Sequence, residues 1–188
     1  RVVSLNRAGG MLCPTNMPKH FKECPVSRYE GLTVAADVFL ARYISVVDCA
    51  MILVNEVFEC GLTFEACTMR NLKKRPVSLE VSTHLREMID DQGLLRKERN
   101  SRFHHGSERG FSSDDQMFRT AALFEHRLNG IVGTNGQQVP IERFFREGLV
   151  ELQREFNCVM RKVVKQLDHL YDMLDPEFAG RMSPRFRV

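Results

Sequence analysis

The chain has 188 residues, 43% of them hydrophobic and 27% charged, with a formal net charge of +3. That length suits one domain and can bury a core without disulfides or metal. The small net charge excludes a histone-like global attraction to nucleic acid, so any such attraction must be local.

Residues 1–26 contain Gly9, Gly10, Pro14, Pro18 and Pro25 and follow no period. They predict an irregular N-terminal arm. No secretory leader is visible from Arg1 onward. The six cysteines include no CxxC pair. Cys49, Cys60 and Cys158 lie inside apolar helical patterns. Reduced thiols in a cytoplasmic protein are therefore expected.

Ser27 precedes a long helical pattern that ends near Gly61. Its apolar positions include Val34, Val38, Ala41, Ile44, Ile52, Val57 and Phe58. They wrap most of the helix, as on a central helix buried on several sides. Asp37, Arg42, Asp48, Asn55 and Glu56 interrupt this stretch and make it too polar to span a membrane. Pro76 breaks the chain after Lys73-Lys74-Arg75. Ser78 can cap a helix to about Asp91, with Val81, Leu85, Met88 and Ile89 on one face. Gly93 is placed to end or bend it.

The segment from Leu95 to Gly106, LRKERNSRFHHG, follows. Ser112 or Ser113, with Asp114 and Asp115, then starts a helix carrying Met117, Ala121, Leu123, Phe124 and Leu128. Gly133-Thr134-Asn135-Gly136 marks a turn, either a hairpin tip or a loop. Pro140 opens a last long helix from Ile141 to about Leu174. Leu149, Leu152, Phe156, Val159, Val163, Leu167, Leu170 and Leu174 recur there at three- and four-residue steps. Asp175-Pro176 should end it, leaving residues 176–188 as a tail. The expected fold is all-α, a bundle of four to five helices over residues 27–175.

The segment at Leu95 carries the chemistry. A guanidinium offers planar donors that match phosphate oxygens, and a histidine exchanges protons near neutral pH. The two together suffice for phosphodiester cleavage. The imidazole handles the proton of a ribose 2′-hydroxyl or of the leaving oxygen, and the guanidinium stabilises the charged phosphorane. Asn100 and His104 are four apart, neighbours on one helix face, so the amide can orient the imidazole. Arg99 and His104 are five apart. On a straight helix they point about 140° away from one another. Either the helix breaks near Gly106, or two chains meet about a twofold axis and pool their residues.

Arg99-Asn100-Ser101-Arg102-Phe103-His104 resembles the R-x4–6-H signature of HEPN domains (higher eukaryotes and prokaryotes nucleotide-binding). The polar residue after the arginine and the trailing Gly106 fit the R-N-x-x-x-H-x-G form. The order of helices agrees over residues 27–175, although only the motif is specific. The resemblance implies a homodimeric, metal-independent endoribonuclease of the toxin–antitoxin or phage-defence type, without cofactor. Its products would be 2′,3′-cyclic phosphate and 5′-hydroxyl ends, and an antitoxin protein would be a candidate partner. Carried over, Arg99 stabilises the transition state, His104 is the acid/base and Asn100 orients them. His105 also falls within the permitted spacing, and the R-N-x-x-x-H form selects His104.

Lys97, Arg102, His105 and Arg109 are the candidate RNA contacts around the motif. Lys73 to Arg75 reads as a solvated face. Phe103 is placed either to stack on a base or to pack in a core or interface. Glu80, Glu87, Asp90 and Asp91 are candidate partners for Arg99 or Arg102. No zinc-type histidine spacing, phosphate-binding loop or nucleophile elbow is present, and no recognition helix follows a short turn. The alternative to an enzyme is a non-catalytic helical module that binds nucleotide, RNA or a protein partner.

Overall fold

The computed structural model describes residues 2–13, 21, 24–127, 132, 136 and 139–182. Among these residues seven α-helices follow in order: α1 Val2–Met11, α2 Arg28–Val57, α3 Met69–Leu72, α4 Leu79–Asp91, α5 Gly93–His105, α6 Asp115–Arg127 and α7 Ile141–Met182. No strand occurs among the described residues. The all-α expectation therefore holds, with more helices than the four or five expected. The chain divides into two units, one of residues 43–98 and 159–188 and one of residues 2–42 and 99–158. The boundaries fall inside α2, α5 and α7, so each of these helices contributes to both.

In the first unit, α4 is capped as its sequence requires, with Ser78 Oγ accepting from the Val81 amide at 3.2 Å. Val81, Leu85 and Met88 are buried on one face. Val163, Leu167, Leu170 and Leu174 of α7 are buried at the same three- and four-residue steps. The two helices are tied by Gln166 and Lys162, both of which bond Asp91, at 2.7 and 2.6 Å. His84 is buried and bonds the Gln166 carbonyl oxygen through Nε2 at 2.8 Å. Gln92 is fully buried between α4 and α5 and donates to the Tyr43 carbonyl at 2.8 Å. α2 stops at Val57, short of Gly61. Asn55 clamps the turn that follows, exchanging hydrogen bonds with both backbone groups of Leu62 at 3.0 and 3.1 Å.

In the second unit the core is aromatic. Phe39 of α2 and Phe156 of α7 stack with centroids 3.7 Å apart, and both rings are buried. Tyr29 meets Phe111 and Phe118 edge-on at 5.3 and 5.5 Å. Removing a buried ring of this kind costs about 3–5 kcal/mol. Arg28 spans the Phe21 and Phe145 rings and pairs with Glu125 and Glu142 at 2.9 and 2.8 Å.

Five local expectations are corrected. The N-terminal arm is helical over Val2–Met11 rather than irregular. Leu5, Ala8 and Leu12 recur at helical steps and are buried, which outweighs the cost of Gly9 and Gly10. Pro176 does not end α7, which runs on to Met182, so a tail does not begin at 176. A proline inside a helix loses one backbone hydrogen bond, and here it sits exposed on the solvent side of α7. On α6 the buried face is Phe118, Ala121 and Ala122, while Met117 and Phe124 are exposed. Its cap is Asp114, whose Oδ1 accepts from the Met117 amide at 3.0 Å, rather than Ser112 or Ser113. On α2, Val34 and Ala41 lie on an exposed stripe, seven residues apart and two turns along the helix.

Gly136 has a positive φ of 73°, as a turn glycine would; the rest of the Gly133–Gly136 turn, with Leu128, lies outside the described residues. All six cysteines are free. No helix is long and apolar enough to cross a membrane among the described residues.

Candidate functional site

The motif occupies the C-terminal part of α5. The helix is unbroken from Gly93 to His105, and the break comes at Gly106, which has a φ of 65°. That conformation suits glycine at a helix C-terminus. The chain then folds back, and Ser107 Oγ donates to Ser101 Oγ at 2.7 Å. Arg99 and His104 therefore share one regular helix, about 140° apart around its axis. The break does fall at Gly106, but Arg99 and His104 both precede it, so it does not bring them together within one chain.

Burial orients the helix. Leu95 and Arg102 point inward. Asn100 and His104 are exposed, with Lys97 on the same outward side, and Arg99 is half-buried on the flank. Among the described residues no carboxylate lies within ion-pair distance of Arg99, and Asn100 makes no hydrogen bond to His104. His105 is exposed on the opposite flank from Arg99.

The candidate RNA contacts divide. Arg102 is 5% exposed at its side chain, and its Nε donates to Asp37 Oδ1 at 2.6 Å. Its Nη1 is buried and has no acceptor among the described residues. Arg109 is paired with Glu155 and lies 5.9 Å from the centroid of the Phe156 ring. Both arginines are engaged in holding the unit together, whereas Lys97 and His105 face solvent. The acids on α4 do not serve the motif. Asp91 binds Lys162, Glu87 lies 3.9 Å from His84, and the carboxylates paired with α5 come from α2, Asp37 with Arg102 and Asp48 with Arg96.

The loop after the motif is firmly seated. Glu108 pairs with Arg119 of α6. Asp115 accepts from the Phe111 amide and from the Tyr29 hydroxyl, both at 2.7 Å. Phe111 lies against Gly148 of α7 so closely that a Cβ there would be 2.9 Å from it. The loop thereby fixes the end of α5 and the position of His104 and His105.

Phe103 is 55% exposed and lies one turn beyond Arg99, on the same flank of the helix. This removes the core reading of Phe103. The two cavities described, one of about 800 Å³ along Pro140 to Arg154 and one of about 460 Å³ around Asn55 and Phe178, include none of the motif residues. No group of three or more metal-binding side chains is found among the described residues.

Neither a family model, nor a curated protein, nor a solved structure matches this chain.

Proposed function

We propose that the protein is an endoribonuclease of the HEPN kind, whose site is completed by a second copy of the chain. One observation carries this reading. α5 presents Arg99, unpaired among the described residues, and His104, solvent-facing, on an unbroken helix that cannot turn both toward one phosphate. A twofold axis beside α5 would supply each half with what it lacks.

In such a site one His104 accepts the proton of the ribose 2′-hydroxyl as its oxygen attacks phosphorus. The imidazolium so formed gives that proton to the 5′-oxygen as that bond breaks. The Arg99 guanidinium bears the negative charge gathered on the phosphorane oxygens. The products are a 2′,3′-cyclic phosphate and a 5′-hydroxyl. This chemistry uses one proton carrier and one cation, contributed by different chains, and calls for no metal. Asn100, exposed beside His104, is positioned to orient the imidazole once a partner excludes water. Lys97 and His105 remain as contacts for the flanking phosphates. A cytoplasmic setting, a defence or toxin role and an antitoxin partner belong to the same reading.

The second reading is a non-catalytic helical module that binds nucleotide, RNA or a protein partner. The exposure of Lys97, Asn100, His104 and His105 favours it if the chain is a monomer. Cleavage of a mixed-sequence RNA in EDTA, comparing the native chain with Arg99→Ala and His104→Ala, separates the two. The enzyme reading expects cleavage by the native chain alone, with cyclic phosphate ends. A folded dimer that leaves the RNA intact would favour the binding module.

A further inference from the structure

We propose that Arg99 and Phe103 form a docking step for one unpaired nucleotide, the ring stacking on the base and the guanidinium holding the adjacent phosphate, so that the substrate is single-stranded at the site. This rests on the RNA reading above and deepens it.

The two residues are four apart on α5, so their Cβ atoms are neighbours, about 5–6 Å apart. Phe103 is the one large hydrophobic side chain of the motif turn, and more than half of it is in water. An aromatic ring left in water on an otherwise polar helix is unfavourable alone and favourable against another π-face. Arg102, next in sequence, turns inward to Asp37, and so the residue at 103 is directed outward beside Arg99. Arg99 has no carboxylate of its own among the described residues, and its charge is free to meet a phosphate. An apolar π-face and a planar cation one helical turn apart complement the two ends of a single nucleotide. A duplex hides its base faces in the stack and offers this pair only phosphates.

The test uses the full-length His104→Ala chain, which binds without cutting under this reading. Fluorescence anisotropy is read with a labelled single-stranded RNA and with a blunt RNA duplex of the same length. The single strand should bind more tightly. Adding Phe103→Ala should weaken single-strand binding about ten-fold and leave the duplex affinity unchanged, whereas Phe103→Trp should restore the difference. Since Phe103 is exposed, the variant should keep its helical circular dichroism. Equal single-strand binding with and without the ring would overturn the proposal while leaving the RNA reading intact. So would a change of oligomeric state on Phe103→Ala at unchanged RNA affinity, which would assign the ring to a second copy. Failure of the His104→Ala chain to bind either RNA would overturn the RNA reading itself, and this proposal with it.

Discussion

Arg102 and Asp37, 65 residues apart in the chain, form an asymmetric ion pair: the guanidinium side chain is 5% exposed and the carboxylate side chain 35%. The asymmetry decides which member can be lost. Asp37→Ala strands a buried cation whose Nη1 already lacks an acceptor among the described residues. Arg102→Met strands a carboxylate that water can reach and fills the space with apolar atoms. Breaking a buried pair by removing its partner is strongly destabilising, and the exposure of Asp37 discounts this to about 2–3 kcal/mol for Asp37→Ala. Arg102→Met should cost about 1 kcal/mol. Urea unfolding of both variants checks the order. Equal losses, or the reverse order, would mean that the burial of Arg102 does not set the worth of the pair.

Tyr29 gives the fold an alkaline limit. Burial, and then the hydrogen bond to Asp115 and that carboxylate's charge, push the phenol well above its ordinary 10.0. A raised acid pKa favours the neutral form in the folded state. Its stabilisation is thus complete below pH 10 and declines as pH rises further, because the unfolded chain ionises first. The slope is at most about 1.4 kcal/mol per pH unit. Burial also raises the thiols of Cys60 and Cys67, which act in the same direction from about pH 9. Tyr29→Phe isolates the phenol. It should cost about 1 kcal/mol at neutral pH for the lost hydrogen bond, and the gap from native should close above pH 10. A gap that stays constant to pH 11 would refute the assignment.

Three glycines should respond to alanine with different signs. At Gly148 a Cβ would lie 2.9 Å from both Cβ and the carbonyl oxygen of Phe111 and 3.1 Å from Leu32 Cδ1. Backbone cannot yield cheaply, so Gly148→Ala should destabilise by about 1–3 kcal/mol despite its better helix propensity. Gly106→Ala meets no atom within 4 Å but must hold φ near 65°, costing about 1 kcal/mol. Gly10→Ala, in α1 with nothing within 4 Å, should stabilise by about 0.5–1 kcal/mol. Thermal denaturation of the three gives the ranking directly.

The helices and most of their inward faces were legible because periodicity reports burial. Leu149, Leu152, Phe156, Val163, Leu167, Leu170 and Leu174 are buried as their spacing required. Where periodicity was ambiguous, it misled. On α6 the pattern through Met117 and Phe124 competes with one through Phe118 and Ala122, and only packing against Tyr29 selects the second. The site was legible as a local motif and illegible in its tertiary partners. Nothing in the sequence ties Asp37 to Arg102, or Glu155 to Arg109, across 65 and 46 residues. Candidate acids were therefore sought on the neighbouring helix, and two of the arginines expected at RNA are engaged within the fold. The helix break is the other case. Gly106 signalled that α5 ends, and the position of that end, after His105, is what keeps Arg99 and His104 of one chain apart.

That separation gives the sharpest prediction for the proposed site. If Arg99 and His104 act from different chains, an Arg99→Ala chain and a His104→Ala chain are each inactive alone, yet complement one another. A mixed dimer would hold one intact site, with Arg99 from one copy and His104 from the other, and one site lacking both. Random exchange makes half the dimers mixed, so an equimolar mixture should recover about a quarter of the native activity. The readout is cleavage of labelled RNA after the two variants have been unfolded and refolded together. If the two residues instead act within one chain, no combination contains an intact site and the mixture stays inactive. An inactive mixture of demonstrably mixed dimers, beside an active native chain, would therefore overturn the two-chain site.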